Sequence, residues 1–560
     1  MGLRDAILLG VLGVALAAAP VVAAPQVVTL GGDTTGDNDP VAACGALAAS
    51  PWEAGWEGRG LKDKQIFLNG AQAACEAARK AAPGSAEVKA WLARVYVLIG
   101  RRTEAEPMLR DAADAGNALA AYELARLLAD PNTGDPGQAM VLLRQAAKAG
   151  YVPALNDLAA RYQAGDGVDG DPAQALKLYR QAADKGDGTG LYHLGLAYQN
   201  GTGVKQDFGK AMTLFQDAAG AGEPLGYAGL GSLYQNGQGV KADNAKAAEF
   251  YRQGAEQGEP QSETALAYFY EQGIAVEQSY PRSFELLTDA ANQNYGFAQA
   301  ALALHYLFGQ GTEVDAARAL DLAMAAQRKH VAYAEGIVGY MYAEGLGTGR
   351  DLATALGYFQ TGAAAGDQFS QRRIDVTNTE IACQNQAGSP YEPGGIGHGV
   401  EFAALDAETA IAACQAAVAA NPDSVGDKVW LARALLKAKR LDEALPMLKT
   451  GADKGNVLAQ VTYADLLLNG VGVDADPAEA IRLYEAAADQ FYAPAQYALG
   501  TVYQEGAGVE ADPTQAASWY TRALDNGLDI AQAKLDELGA TTEAKASFDM
   551  TGFGREGPAY

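Results

Sequence analysis

The sequence predicts an all-α protein, an α/α superhelical solenoid of helix pairs that is internally duplicated. A period of 36 residues carries this prediction, because self-similarity at this length is typical of stacked helical units that cannot bury their apolar faces alone. A glycine-rich turn and a capping aspartate divide each period into two helices, except that Ser279 replaces the aspartate in one repeat. The eight clearest repeats begin at Tyr151, Asp187, Glu223, Glu259, Tyr295, Val331, Asn456 and Tyr492.

Two positions of the repeat are nearly constant. Position 15 is glycine in all eight repeats, and position 12 is tyrosine in all but one, where Leu467 stands instead. Glycine permits the positive φ that ends a helix. An aromatic side chain at a fixed position predicts packing between helices. The tyrosines are Tyr162, Tyr198, Tyr234, Tyr270, Tyr306, Tyr342 and Tyr503.

Residues 492–527 show how one repeat divides. Apolar residues spaced three and four apart over 493–504 predict the first helix. Asp512 and Pro513 then predict the start of the second helix, because aspartate caps free N–H groups and proline fits the first helical position. Ala516 lies four residues after the cap, where a small side chain lets the paired helices approach closely.

Residues 194–204 (LGLAYQNGTGV) and 499–509 (LGTVYQEGAGV) share one pattern. The pattern resembles the Sel1-like repeat, a relative of the tetratricopeptide repeat. The resemblance covers about 151–366 and 456–527, with a degenerate repeat at 117–150. It implies a solenoid of helix pairs.

Two long segments of the chain repeat at an offset of 339 residues. Ser-Pro-Trp-Glu at 50–53 corresponds to Ser-Pro-Tyr-Glu at 389–392, and Trp-Leu-Ala-Arg at 91–94 recurs at 430–433. Each copy is a cysteine-bearing module followed by a repeat array. The second halves of these modules are predicted to be tetratricopeptide-like helix pairs.

The chain has four cysteines, and each module holds two of them 31 positions apart. In an exported protein this arrangement predicts two disulfides, Cys44–Cys75 and Cys383–Cys414. Metal binding by the thiols is the competing interpretation. Two thiols without nearby histidines form a poor zinc site, so the disulfides are favoured.

The first 24 residues have the pattern of a cleaved signal peptide: Arg4, a short apolar stretch, and small residues before a cleavage point after Ala24. A membrane anchor is the alternative, but Pro20 interrupts the apolar stretch. We therefore predict a periplasmic protein, with full secretion left open. The predicted domains are 1–24 (signal peptide), 25–40 (flexible segment), 41–116 (cysteine-bearing module), 117–372 (repeat array), 379–455 (second cysteine-bearing module), 456–527 (two repeats), 528–540 (capping helix) and 541–560 (flexible tail).

The composition argues against several functions. A formal net charge of −26 repels nucleic acid and anionic lipid, and no later stretch is apolar enough to span a bilayer. No histidine stands at a catalytic motif spacing, and no phosphate-binding motif occurs. We predict no catalytic residue, no metal and no cofactor, and hence no enzyme.

Exported relatives of this family serve as scaffolds in exopolysaccharide synthesis or export, or as partners of membrane sensors. The resemblance therefore implies a non-enzymatic periplasmic scaffold or regulator that binds envelope proteins. A secreted host-interaction factor is one alternative. A β-lactamase-like hydrolase is another, although the relatives linked to that activity carry cysteines in every repeat. Partner binding is predicted at variable positions of the first helices, namely Tyr192, His193, Tyr227, Glu263, His305 and Glu335.

Overall fold

The computed structural model describes residues 39–57, 59–130, 134–392 and 399–539. The predicted signal peptide and the predicted tail at 541–560 lie outside these ranges. Within them the chain forms 27 α-helices and no strand, which confirms the predicted all-α class. The helices are α1 Pro40–Ala48, α2 Leu68–Ala81, α3 Ala86–Leu98, α4 Arg102–Asp114, α5 Ala118–Leu128, α6 Pro136–Lys148, α7 Val152–Ala164, α8 Pro172–Ala183, α9 Gly188–Asn200, α10 Phe208–Gly220, α11 Leu225–Asn236, α12 Asn244–Ala255, α13 Pro260–Gln272, α14 Tyr280–Asn292, α15 Gly296–Phe308, α16 Ala316–Gln327, α17 Ala332–Glu344, α18 Leu352–Ala364, α19 Gln368–Ala387, α20 Ala407–Ala420, α21 Val425–Lys437, α22 Leu441–Asp453, α23 Val457–Asn469, α24 Pro477–Ala488, α25 Ala493–Glu505, α26 Pro513–Asp525 and α27 Ile530–Glu537.

The described chain divides into two compact units at Gln299, inside α15. We call residues 39–298 the N-terminal unit and residues 299–539 the C-terminal unit. Each contains one cysteine-bearing module and several consecutive helix pairs. In each unit, most consecutive helices pack against each other, so the packing largely follows the chain order.

The turn inside each repeat follows from its capping residues. In the repeat of α7 and α8, Gly165 ends the first helix with φ 71°, and the side chain of Asp171 accepts hydrogen bonds from the N–H groups of Ala173 and Gln174, both at 3.0 Å. The backbone N–H of Asp171 also donates to the carbonyl of Tyr162 at 2.8 Å. The same bond to the position-12 carbonyl recurs in the other clear repeats, so it fixes the turn between paired helices.

The core aromatic of the repeat is at position 29, on the second helix. Phe215 and Tyr520 are fully buried there, and each packs beside a glycine of the first helix. A Cβ on Gly195 would lie 2.6 Å from the Phe215 ring, and one on Gly500 would lie 2.6 Å from the Tyr520 ring. The expected packing role of the position-12 tyrosines is only partly met, because most of them are half-buried. A cationic side chain covers several rings, as Lys210 covers Tyr198 at 5.1 Å.

The 20-residue α19 joins the last repeat of the first array to the second cysteine-bearing module. Asp367 caps its N-terminus, and Cys383 lies near its C-terminus. The segment contains neither glycine nor proline, so nothing stops the helix where a domain boundary was predicted between 372 and 379. In the first module the corresponding helix is α1, which starts instead at Pro40 under an Asp39 cap.

Candidate functional site

The cysteine-bearing modules contain two buried disulfides. Cys44 is bonded to Cys75 and Cys383 to Cys414, each with a Cα–Cα distance of 4.6 Å, and all four side chains are fully buried. The disulfides connect α1 with α2 and α19 with α20, which is the predicted pairing. Within the described residues no group of three or more histidine, cysteine or acidic side chains could hold a metal ion.

A Ser-Pro-aromatic-Glu turn forms the centre of each module. In the second module, Ser389 N–H donates to the Glu392 carboxylate at 2.8 Å, and the indole N–H of Trp430 donates to both its oxygens. The Tyr492 hydroxyl donates to Ser389 Oγ at 3.1 Å. Burial is the main reason why the pKa of Glu392 is raised. These contacts give Ser389 no general base, so we interpret the arrangement as structural.

A buried arginine completes the module. Arg433 donates to the carbonyls of Ala387, Gly388 and Val400, at 2.8 to 2.9 Å, and burial lowers its pKa. Its counterpart in the first module, Arg94, also donates to two carbonyls. The role of this arginine was not predicted from the sequence, although the repeated Trp-Leu-Ala-Arg segments contained the signal.

The two modules differ beside this arginine. Arg94 forms an ion pair with Asp63 at 2.6 Å. The position 339 residues later holds Phe402, whose ring lies 5.6 Å from the Arg433 guanidinium. The first module therefore balances the arginine with a carboxylate, whereas the second uses a cation–π contact.

A buried ion cluster connects the last repeat of the first array with the second module. Arg350 lies 2.8 Å from Asp427, which is fully buried, and 4.3 Å from the centre of the Trp430 ring. Asn421 donates to Glu380 at 2.7 Å, and Arg373 lies 3.5 Å from the same carboxylate. Burial and the nearby Asp427 raise the pKa of Glu380 to about 7. All of these charges face other residues of the same unit, so the cluster offers no open catalytic site.

Three predicted partner-binding residues lie in the N-terminal unit on two neighbouring first helices. Tyr192 is fully buried. His193 is half-buried and stacks on Tyr179 with ring centres 4.1 Å apart, and burial lowers its pKa to about 4. Tyr227 is half-buried. Of the three, burial removes Tyr192 from any direct contact with a partner.

The other three predicted residues are also turned inward. Glu263 is 4% exposed, and burial is the main cause that raises its pKa to about 7. Glu335 is 6% exposed and accepts a hydrogen bond from Gln327 at 3.1 Å. His305 is fully buried, with Nδ1 2.6 Å from the Gln310 carbonyl oxygen. Their burial argues against the predicted partner contacts.

Side chains at position 5 instead bind the residue 30 positions later, at the end of the second helix. Gln293 donates to Glu263 at 3.2 Å, and Asn526 donates to Gln496 at 2.9 Å. The same spacing joins Lys329 to Gln299 and Gln490 to Gln460. In these four repeats the polar residue at position 5 therefore bonds within its own repeat, whereas Glu335, also at position 5, bonds to Gln327 of the preceding repeat. This 30-residue polar spacing was visible in the sequence and was missed.

The described chain has a small cleft of about 210 Å³ in the N-terminal unit. Arg126, Asp157 and Arg161 line it together with alanine, methionine, leucine and proline side chains. The Tyr122 hydroxyl donates to Asp157 at 2.9 Å, and Arg126 lies 3.4 Å from both Asp63 and Glu123. The charged groups thus already pair with one another, and the lining contains no nucleophile beside a base.

In the part of the chain that the structure describes, large exposed apolar side chains are few and scattered. The most exposed, Phe491, is 75% accessible and has φ 61°. Among the described helices, none is long and apolar enough to cross a membrane. The large exposed apolar residues are Phe67, Val141, Phe308, Val314, Phe402, Val471, Phe491 and Ile530.

Comparison with known families identifies the repeats. The segments that match the Sel1 repeat together span more than half of the chain, and they are 118–151, 152–187, 189–223, 224–259, 260–295, 296–323, 332–367, 457–490 and 493–528. The chain belongs to the Sel1 repeat family. Residues 401–461 of this Sel1 repeat protein also match a tetratricopeptide repeat, which agrees with the prediction for the second module.

Several solved structures are similar to the chain. One is c5321, a protective antigen with an SLR fold from uropathogenic Escherichia coli, which is 29% identical over 78% of this chain and 90% of that one, with a TM-score of 0.39. A Sel1 repeat protein from Oxalobacter formigenes is 29% identical over 53% of this chain and 88% of its own, with a TM-score of 0.34. The immunity protein Pa5087 of Pseudomonas aeruginosa is 25% identical over 38% and 81%, with a TM-score of 0.30. No curated protein matches.

Proposed function

We propose that this Sel1 repeat protein is a non-enzymatic scaffold or regulator of the bacterial envelope, and that it acts by binding a partner protein on its helix-pair surface. One observation carries the proposal. The recurring side chains, such as the position-29 aromatics and the polar pairs between positions 5 and 35, are used inside the repeats. Many of the exposed side chains, by contrast, differ from repeat to repeat, as expected for a surface that recognises one partner.

Export to the periplasm is the second part of the proposal. The pattern at residues 1–24 supports it, and so do the two buried disulfides, since disulfides persist in oxidising compartments. The envelope process in which the scaffold would act is exopolysaccharide synthesis or export, or signalling. The net charge of −26 favours contact with a protein over direct contact with an anionic polysaccharide.

In-cell crosslinking of the mature protein in its native host, followed by mass spectrometry, tests the scaffold. Repeated recovery of one envelope protein supports it and names the pathway. If only self-crosslinks appear across several growth conditions, the scaffold proposal fails. Fractionation separates the periplasmic scaffold from a secreted factor, which would accumulate in the medium.

Hydrolase activity, the alternative function, is tested separately with the purified mature chain. We expect no turnover of a chromogenic β-lactam, because neither the Ser-Pro-aromatic-Glu turns nor the 210 Å³ cleft place a nucleophile beside a base. Turnover that is lost when the protein is unfolded would contradict the non-enzymatic assignment.

A further inference from the structure

Phe491 occupies a turn position at which this chain otherwise places small or polar residues. Position 36 connects the second helix of one repeat to the first helix of the next, and φ is positive there in all eight clear repeats. Five of these residues are glycine, and the others are Asn294, His330 and Phe491. Glycine adopts a positive φ without cost, and asparagine and histidine are enriched at it. A bulky aromatic side chain is unusual at such a position.

The side chain of Phe491 makes little contribution to the stability of the fold. The side chain is 75% exposed, so its ring contributes little to packing. The backbone is nevertheless held at a φ of 61°, which is unfavourable for a bulky residue. A glycine at this turn would remove the strain and the exposed apolar surface together. A strained residue that does not stabilise the fold is a candidate for a functional contact.

The surroundings of Phe491 indicate the chemistry of that contact. Asp453, Asp489 and Asp525 occupy the same place in three successive turns, and all three are exposed. Gln490 donates to the Gly455 carbonyl at 3.2 Å, which holds two of these turns against each other. Ile530, 61% exposed, follows the third turn. We call Asp453, Asp489, Phe491, Asp525 and Ile530 the Phe491 edge.

The charge of this edge is negative overall. Lys454 and Arg482 are exposed cations near Asp453, although Arg482 pairs with Glu479. Arg522 is exposed three residues before Asp525, and Asp529 adds a further exposed carboxylate next to Ile530. Acidic groups around an apolar side chain complement a surface that combines apolar side chains with cations.

We propose that the Phe491 edge is a docking site for a cationic protein segment, whose apolar side chains enclose the Phe491 ring while its lysines or arginines face Asp453, Asp489 and Asp525. The inference rests on the proposed scaffold function and specifies the surface and the partner's chemistry. An exposed aromatic side chain that a partner encloses is a typical energetic centre of an interface.

A defined peptide tests the chemistry. The probe is a fluorescein-labelled peptide of leucine and lysine, compared with a leucine and glutamate peptide of equal length. We expect the full-length mature protein to bind only the lysine peptide, with an affinity that falls as salt is added. Phe491→Gly should weaken binding by about tenfold, while Tm stays unchanged or rises because glycine suits φ 61°.

The matched control is Phe67→Ser, since Phe67 is similarly exposed at 71% but lies in the other unit. It should leave peptide binding unchanged. A second variant, Asp453→Asn with Asp489→Asn and Asp525→Asn, keeps the ring and should reduce both the affinity and its salt dependence. Unchanged affinity in Phe491→Gly, or an equal loss in Phe67→Ser, would overturn the proposal.

Site-resolved photocrosslinking separates this inference from the scaffold function. A benzophenone-bearing residue is placed at position 491 or at position 67 in the native host. An envelope protein captured from 491 but not from 67, whose crosslinked peptide is rich in lysine or arginine, supports both proposals. A partner captured only from 67 overturns the docking site and keeps the scaffold. Self-crosslinks from 491 alone would instead assign the edge to self-association.

Discussion

Trp430 donates its indole N–H to both carboxylate oxygens of Glu392, at 3.1 and 2.9 Å, and Trp91 makes the same pair of hydrogen bonds to Glu53, at 3.1 and 3.2 Å. Both pairs are 38 residues apart and lie at the centre of a cysteine-bearing module. The duplication therefore preserves a buried polar contact as well as the cysteines. Because buried polar groups are costly without partners, this contact should be a main determinant of module stability.

Replacing Glu392 tests this contact. Glu392→Ala leaves the N–H groups of Trp430 and Ser389 without their acceptor, so we expect the free energy of unfolding to fall by about 2–4 kcal/mol. Glu392→Gln keeps a carbonyl acceptor and should cost about 1 kcal/mol. Denaturant unfolding followed by tryptophan fluorescence measures both. Equal stability of the alanine variant and the wild type would show that the contact is not stabilising.

Removing a disulfide should destabilise its module without changing its fold. The double variant Cys383→Ser and Cys414→Ser opens a loop of 31 residues, and chain entropy predicts a loss of about 4 kcal/mol. Because both sulfurs are buried, the wild type should resist alkylation until it is unfolded. Thiol titration of protein prepared without reductant checks the pairing, and free thiols in the folded protein would refute it.

The protonation of Glu263 should contribute to the pH dependence of the free energy of unfolding. Burial raises its folded-state pKa to about 7, above the usual value of 4.5 for a glutamate. Between these two values the folded state holds a proton that the unfolded chain has released, so stability is lost as the pH rises through this window. Glu263→Gln should match the wild type near pH 4.5 and exceed it by about 3 kcal/mol at pH 8. A variant that is less stable at pH 8 would contradict this explanation.

Replacing a helical glycine with alanine should change the stability in opposite directions at Gly500 and Gly357. A Cβ on Gly500 would lie 2.6 Å from the buried Tyr520 ring, so Gly500→Ala should destabilise the C-terminal unit by about 1–3 kcal/mol. Gly357 lies in α18, and a Cβ added there would meet no neighbouring atom within 4 Å, so Gly357→Ala should stabilise the protein by about 0.5–1 kcal/mol. Thermal unfolding of both variants makes the comparison. A shift in the same direction would show that the close packing of Gly500 on Tyr520 is not decisive.

The repeat fold was predictable because its signals are local. The capping aspartates, the glycine at position 15 and the small residues on the second helices each determine a feature within one repeat. The cysteine pairs were predictable for a different reason, since the duplication supplied two copies with the same spacing. The residues that determine the repeat lie close together in the sequence, and those that determine the disulfides occur in two copies.

The candidate partner residues were harder to place. Variation from repeat to repeat suggested that Glu263 and Glu335 were exposed, but both carboxylates are buried. Glu263 is bound by Gln293, 30 residues later on the second helix. Sequence register shows which side of a helix a residue occupies and does not show how closely the next helix covers it. Phe491 was missed because its strain depends on a backbone angle that only the structure provides.

The most direct test of the proposed binding function is to map where a partner touches the chain in its native host. Crosslinking with mass spectrometry should recover one envelope protein and place its crosslinks on exposed residues, with the Phe491 edge among them. Crosslinks should not map to buried side chains such as Tyr192 or Glu335. Recovery of no partner under any growth condition, or of hydrolytic activity in the purified chain, would contradict the central claim that this protein acts by binding another protein.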